Sequence, residues 1–141
     1  MTINQHPLLL PMLALAGWTF VVLIRLGAAR IGAGLRGRLV PDDFKLGEGA
    51  GVPEDVRIPN RNYMNLLELP VLFYVVCLVI ETGGYAVPYA VALAWTYVGL
   101  RVAHSLVHLT YNDVMHRLAA FSASNAVLMI LWVLTVRSAL A

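Results

Sequence analysis

The chain contains long stretches without a single charged side chain, and this feature decides where it can fold. Asp, Glu, Lys and Arg are absent from residues 1–24, 82–100 and 118–136, and the last two stretches are each 19 residues long. An α-helix needs about 20 apolar residues to cross the hydrocarbon layer of a bilayer, so each stretch is long enough for one span. The sequence therefore predicts an integral membrane protein.

The overall composition agrees with this prediction and excludes several classes of protein. The chain is 60% hydrophobic and 13% charged, whereas soluble domains are about 45–50% apolar and about 25% charged. A soluble enzyme, a disordered segment and a disulfide scaffold are therefore excluded. The net charge of +2 is too small to indicate a nucleic-acid partner. Cys77 is the single cysteine, so the chain cannot form an internal disulfide.

A fourth uncharged stretch, Leu69–Ile80, is too short to span the membrane alone. Its helix is expected to begin earlier and to carry Glu68 into the bilayer, with a kink at Pro70, which has no backbone N–H to donate. We predict an all-α fold, an integral membrane four-helix bundle in a single domain over residues 1–141. The predicted spans are Leu8–Ala29, Arg61–Glu81, Val87–Leu109 and Leu118–Arg137.

The distribution of basic residues predicts the orientation of the bundle. Most of them lie at the end of the first span or in the loop after it: Arg25, Arg30, Arg36, Arg38, Lys45, Arg57 and Arg61. Cytoplasmic loops carry an excess of Lys and Arg, so we expect this loop to be cytoplasmic and both termini to face outward. The loop, Ile31–Pro59, is rich in glycine and proline, which predicts irregular structure rather than a firm helix.

Polar side chains inside the predicted spans repeat at helical intervals. Such residues are costly in a bilayer and usually face a bundle interior or a cavity. One face of the second span and one face of the third carry them, and Arg117 lies at the start of the fourth span. The two faces are formed by Arg61, Asn65 and Glu68 on the second span and by Arg101, His104 and His108 on the third. All seven are expected in the half of the membrane nearer the long loop.

Two interpretations of this polar set remain open from the residues alone. Glu68 and Arg101 can form a structural ion pair that fixes the register of two helices. Alternatively, Arg61, Arg101 and Arg117 outnumber the single carboxylate and indicate an anionic ligand. His104 and His108 stand four residues apart, but without a third ligand they do not predict a metal site. A site lined by these residues would leave little core in one small bundle, so we expect it to form between subunits.

The residues of the second and third spans resemble the signatures of a known family. Arg61-x-x-x-Asn65-x-x-Glu68 followed by Pro70 is similar to the second-helix signature of the MAPEG family, the membrane-associated proteins in eicosanoid and glutathione metabolism. The segment RVAHSLVHL, residues 101–109, resembles the third-helix signature, particularly in the microsomal prostaglandin E synthase branch. The four spans and the long first loop agree with the family's topology.

The resemblance implies an activity and a set of roles. The family implies a homotrimer with glutathione bound in a bent conformation between subunits, while an apolar substrate enters from the membrane lipids. Arg117 falls at the position of the arginine beside the glutathione sulfur, where it would be catalytic by stabilising the thiolate. The residues implied to hold glutathione are Arg61, Asn65, Glu68, Arg101, His104 and His108. We predict a glutathione transferase or peroxidase acting on lipophilic electrophiles or lipid hydroperoxides.

Two departures from the family pattern keep another hypothesis open. His108 stands where many members have tyrosine, and Leu118 stands where the prostaglandin branch has serine, so prostaglandin synthesis is not predicted. A catalytically silent family member that binds a lipid or another anionic ligand is the alternative. A small proton-coupled transporter also has four spans, but its essential glutamate is expected in the first span, where this chain has none.

Overall fold

The computed structural model describes residues 6–45, 48, 49 and 51–141. Within these residues a short 3-10 helix, Pro41–Phe44, follows the first of five α-helices. The α-helices are α1 (Leu9–Leu35), α2 (Glu54–Leu67), α3 (Pro70–Gly83), α4 (Ala90–Leu109) and α5 (Val114–Leu140). The predicted all-α fold is confirmed.

Four helical segments are long and apolar enough to cross a bilayer, as predicted. Three are single helices, and the fourth is the pair α2 and α3, which are separated only by Glu68 and Leu69. Only 22% to 39% of the residues in the apolar window of each segment are buried inside the chain. A water-soluble bundle does not leave so much apolar surface uncovered. The chain is therefore an integral membrane helical bundle.

Two helices extend further than the sequence predicted. α1 continues to Leu35 rather than ending at Ala29, and the second span begins at Glu54 rather than at Arg61. The predicted loop Ile31–Pro59 is therefore reduced to residues 36–53, and its two ends are helical. The expectation of irregular structure is wrong for those ends.

A small hydrophobic cluster explains why these helix ends are stable. Ala33 on α1 and Val56 on α2 are buried against Leu39 and Val52 of the loop. A glycine costs a helix up to about 1 kcal/mol relative to alanine, and tertiary packing of this kind overrides such a preference. The glycines of α1 therefore did not predict correctly where the helix ends.

An ion pair also anchors the loop to α2. The guanidinium of Arg38 donates two hydrogen bonds to the carboxylate of Asp55, at 2.8 and 3.2 Å. This contact raises the pKa of Arg38. The bidentate geometry fixes the direction in which the loop leaves α1.

The start of α5 also differs from the prediction, because Asp113 caps the helix. The carboxylate of Asp113 accepts a hydrogen bond of 2.8 Å from the backbone N–H of His116, and α5 begins at Val114 rather than at Leu118. The bond favours the charged form and lowers the pKa of the Asp113 carboxyl. Aspartate is one of the most favourable N-cap residues, so this earlier start was available from the sequence.

The predicted kink at Pro70 is confirmed as a complete break between two helices. α2 ends at Leu67, Glu68 has the non-helical torsion angles φ −81° and ψ −100°, and α3 starts at Pro70. Proline is well tolerated in the first turn of a helix because its missing N–H has no intrahelical partner there. The break leaves the last carbonyls of α2 available for other donors.

The hydrophobic core lies between the helices that span the membrane. Phe73 of α3 and Tyr97 of α4 stack with ring centroids 4.6 Å apart. Cys77 is buried in the same cluster. Fully buried aliphatic side chains of this cluster include Leu15, Val22, Val76 and Leu131.

The two ends of the bundle are defined here by their connections. The loop end contains the end of α1, the start of α2 and the turn between α4 and α5. The terminal end contains the start of α1, the turn between α3 and α4 and the end of α5.

Candidate functional site

A cavity of about 660 Å³ lies at the loop end, and α2 together with its C-cap residue supplies half of its lining residues. These side chains share one face because they recur at intervals of three and four residues. They are Asn60, Arg61, Met64 and Asn65 of α2 and the C-cap residue Glu68. The rest of this loop-end cavity is lined by Arg30 of α1, Phe44 and Glu48 of the loop, His108 of α4 and Arg117 of α5.

The structure brings together most of the residues that the sequence singled out. Five of the seven line the loop-end cavity, namely Arg61, Asn65, Glu68, His108 and Arg117. His104 lines an adjacent cavity of about 270 Å³, which shares Asn65 and Arg117 with the first. Three helices that are separate in sequence therefore present these groups to one region.

Arg101 is the exception, because it lies in the interior of the bundle. Its side chain is fully buried, and its Nη2 donates a hydrogen bond to the backbone carbonyl of Asn65. Its guanidinium lies 5.5 Å from the centre of the Phe121 ring. At about 1.5 Å per residue, Arg101 is roughly 10 Å further from the loop end than His108. The structure therefore does not bring Arg101 to the loop-end cavity.

The contact of Arg101 with Asn65 stabilises the break between α2 and α3. The last four carbonyls of a helix lack intrahelical donors, and Asn65 lies in the last turn of α2. Glu68 is exposed, so it does not form the buried ion pair with Arg101 that the sequence left open. A buried hydrogen bond of 2.6 Å from Asn62 to Ser105 links α2 to α4 instead.

Neutral acceptors hold the guanidinium of Arg117 at the edge of the cavity. Its Nη1 donates to Oδ1 of Asn112 at 2.5 Å and contacts Nδ1 of His108 at 3.2 Å. A guanidinium has no acceptor, so Arg117 can only be the donor in these contacts. Among the ion pairs of residues 6–45, 48, 49 and 51–141, none includes Arg117. Its positive charge therefore has no protein counterion there.

The adjacent cavity is largely apolar and touches Arg117 from another direction. Its lining includes His104 and the apolar side chains of Val114, Leu118 and Phe121. Val114 and Leu118 are exposed on the surface of the bundle, where lipid surrounds a membrane protein. Arg117 therefore lies between a polar, cation-rich space and an apolar one.

Five lining residues were missed by the sequence analysis: Arg30, Phe44, Glu48, Asn60 and Met64. Arg30 donates a hydrogen bond of 2.9 Å to Asn60, and its guanidinium lies 4.7 Å from the centre of the Phe44 ring. Asn60 precedes Met64 and Glu68 by four and eight residues, so the helical spacing could have identified it. Phe44 and Glu48 are in the loop, and no periodic pattern places them.

The charges in the loop-end cavity are unbalanced. Three arginines and two glutamates line it. The glutamates do not neutralise the arginines closely, because the nearest ion pair joins Glu48 to Arg61 across 3.9 Å. An anionic ligand is the chemical partner that such a space favours. No group of three or more His, Cys, Asp or Glu in the described part of the chain has the geometry of a metal site.

Comparison with known proteins agrees with this geometry. A model of the MAPEG family matches residues 8–137, which is nearly the whole chain. The chain belongs to the MAPEG family. A search of curated proteins found no significant match, and a search of solved structures found none either. The match shows the family and does not select the prostaglandin E synthase branch.

Membership in the MAPEG family gives the cavity a chemical context. Members of the family include glutathione transferases and peroxidases, and glutathione is a common ligand among them. The match covers every helix that lines the cavity.

Proposed function

We propose that this protein binds glutathione in the loop-end cavity and activates its thiol for reaction with lipophilic electrophiles or lipid hydroperoxides. The observation that carries the proposal is the convergence of Arg61, Asn65, Glu68, His108 and Arg117 on one cavity. Helical spacing and the family resemblance predict these five residues from the sequence alone. Their assembly from three helices is expected for a binding site.

The size and charge of the cavity suit glutathione. A volume of about 660 Å³ lies within the range of about 300–1,000 Å³ that is common for ligand sites. Glutathione carries two carboxylates, one ammonium and a thiol, so it offers partners to both signs of charge in the lining. Arg30 and Arg61 suit the carboxylates, because a guanidinium forms paired hydrogen bonds with a carboxylate. Asn65 can donate or accept at the peptide groups.

Arg117 is the proposed catalytic residue. The thiolate rather than the thiol is the nucleophile, and a nearby cation stabilises it. Arg117 suits this role because its guanidinium is held by Asn112 and His108, which are neutral acceptors that leave its charge available. His108 thus has a positioning role, in addition to any contact that it makes with glutathione.

The apolar cavity beside Arg117 is the proposed site of the second substrate. Phe121 and Leu118 line it, and Arg117 is shared with the glutathione cavity. In conjugation, the thiolate forms a carbon–sulfur bond while a leaving group departs from the electrophile and the thiol proton is lost to solvent. In peroxidase chemistry, two thiols become a disulfide while the hydroperoxide is reduced to an alcohol and water. His104 adjoins this space and is proposed to orient the substrates.

We also propose a homotrimer whose sites are completed between subunits. The side chain of Arg61 is 66% exposed in the single chain, and Glu68 is exposed in the membrane-spanning segment. Charged groups in such segments usually face a protein interior, so a neighbouring subunit is the expected cover. Ala119, Ala123 and Ala126 are exposed on α5, where small residues permit close helix contacts. The loop end is proposed to face the cytoplasm.

A turnover assay tests the proposed function. The purified protein in detergent is mixed with glutathione and either a lipophilic aryl halide or a fatty-acid hydroperoxide, and product formation is measured against glutathione concentration. We expect a rate that saturates with glutathione and depends on the protein. Saturable binding of an anionic lipid without turnover of either substrate would contradict the proposal and favour a catalytically silent family member. Native mass spectrometry of the same sample tests the trimer.

A further inference from the structure

Glu48 is a largely buried charged group of the loop-end cavity that has no hydrogen-bond partner among the described residues. Its side chain is only 14% exposed, and it reaches the cavity from the loop between α1 and α2. Its Oε2 lies 3.9 Å from Nε of Arg61, which is too long for a hydrogen bond. Its Oε1 is buried and has no hydrogen-bond partner among the described residues. Neither oxygen therefore accepts a hydrogen bond from a residue that the structure describes.

A buried carboxylate without hydrogen-bond donors is unfavourable in free energy. The group that would supply those donors indicates what kind of ligand the site binds. A buried charged acceptor that has no hydrogen bond destabilises the structure around it. The neighbouring guanidinium of Arg61 supplies attraction but no hydrogen bond at this distance. A small cation with several N–H donors, such as a primary ammonium, would satisfy both oxygens of Glu48.

We propose that Glu48 binds the ammonium group of the ligand and thereby makes the cavity selective for an amino-acid end over a plain anion. The inference rests on the proposed function, because it concerns how glutathione is distinguished within the same cavity. Arg61, beside Glu48, binds the carboxylate on the same carbon atom as the ammonium. One carboxylate and one guanidinium placed side by side match the two charges of an α-amino acid group.

Glu68 is the other carboxylate in the cavity, and its surroundings differ. Glu68 is exposed in the single chain, so its carboxylate does not need a ligand to supply its hydrogen bonds. Glu48 comes from the loop and Glu68 from the junction of α2 and α3. The two residues are therefore a natural matched pair for an experiment on the ammonium site.

The test compares two peptides against several variants by calorimetric titration in detergent. The peptides are glutathione and N-acetylglutathione, which has the same carboxylates and thiol but no ammonium. The variants are Glu48→Gln, Glu68→Gln and, as a control from the exposed part of the same loop, Asp42→Asn. A charge-assisted hydrogen bond corresponds to a factor of at least about ten in affinity. We expect the unmodified protein and Asp42→Asn to prefer glutathione by that factor.

The effect of Glu48→Gln decides the proposal. We expect its preference for the free amine to fall below about twofold, whereas Glu68→Gln retains the preference. Loss of the preference in Glu68→Gln alone would overturn the assignment, as would equal affinities for both peptides in the unmodified protein. An equal increase in affinity for both peptides in Glu48→Gln would also overturn the proposal. Glu48 would then compete with the carboxylate of the ligand for Arg61. Failure of both peptides to bind the unmodified protein would reject the proposed function itself.

Discussion

Charged side chains have different hydrogen-bond partners at the two ends of the bundle. At the terminal end, the Glu81 carboxylate is 13% exposed and fully engaged. Its two oxygens accept hydrogen bonds from His6 Nδ1 at 2.9 Å and from the backbone N–H of Leu8 at 2.8 Å. At the loop end, within residues 6–45, 48, 49 and 51–141, Arg117 has only neutral partners and one oxygen of Glu48 has no donor.

The difference shows which charges the fold uses for itself and which it leaves for a ligand. Glu81 joins the start of α1 to the end of α3, so its interactions are complete within the chain. The loop-end cavity is incomplete without another molecule, because its arginines outnumber its glutamates and are weakly paired. The same chemical groups therefore have a structural role at one end and a proposed binding role at the other.

Removing the cation of Arg117 is expected to have the largest effect. Arg117→Ala should lower the rate of glutathione conjugation by about a hundredfold or more, because removal of one preorganised electrostatic contact costs about 10²–10³ in rate. Arg137→Ala is the matched control, since Arg137 is an exposed arginine at the other end of the same helix. The rate is measured at saturating glutathione. Equal rates in the two variants would refute the catalytic role of Arg117.

Removing Arg61 should weaken binding more than turnover. Arg61→Ala is expected to raise the Kd for glutathione about tenfold or more, because a hydrogen bond to a charged group is lost, while kcat changes much less. Arg36→Ala is the control, since Arg36 is an exposed cation at the end of α1 that does not line the cavity. The Kd is measured at two salt concentrations. An equal weakening in both variants would mean that the loop end acts only as a diffuse positive surface.

At the terminal end the same kind of change should affect stability alone. Glu81→Ala removes two hydrogen bonds and is expected to destabilise the fold by about 1–3 kcal/mol, which is visible as a lower Tm in detergent. The Kd for glutathione should stay unchanged. His6→Ala, which removes one of the two partners, should have a smaller effect in the same direction. A change in glutathione affinity in either variant would break the contrast between the two ends.

Asp113 should show a still smaller effect that depends on pH. Its pKa lies below the ordinary value of 3.8 because its carboxylate accepts the N–H of His116. The stabilisation is therefore fully present above that ordinary value and is lost as the pH falls through the lowered pKa. Asp113→Asn keeps a capping acceptor without a titratable group. As the pH is lowered from 5 to about 2, the Tm of the variant should rise relative to that of the unmodified protein. A difference in Tm that does not change with pH would refute the role of the charge.

The helices and their polar faces could be predicted from the sequence, but the loop contributions could not. The spacing of Arg61, Asn65 and Glu68 placed them on one face because a helix converts spacing into direction. Phe44 and Glu48 reach the cavity through the packing of the loop, and no local pattern encodes that contact. The sequence therefore predicted the cavity residues that lie on helices better than those that lie in the loop. The proposed selectivity depends on one of these loop residues, Glu48.

Arg101 illustrates a second limit of helical spacing. It shares a face of α4 with His104 and His108, and all three are buried. Spacing gives the direction of a side chain but not the depth at which its partners lie. The break after α2 exposes the carbonyl of Asn65, and Arg101 donates to it instead of reaching the cavity. This hydrogen bond depends on the contact between α2 and α4, which could not be predicted from the sequence alone.

The most direct test of the central claim is the ultraviolet absorbance of the glutathione thiolate during titration into the folded protein in detergent. We expect a saturable thiolate signal in the unmodified protein and its loss in Arg117→Ala, with the oligomer intact in both. A folded oligomer that gives no thiolate signal, or an undiminished signal in Arg117→Ala, would contradict the proposal that Arg117 activates glutathione.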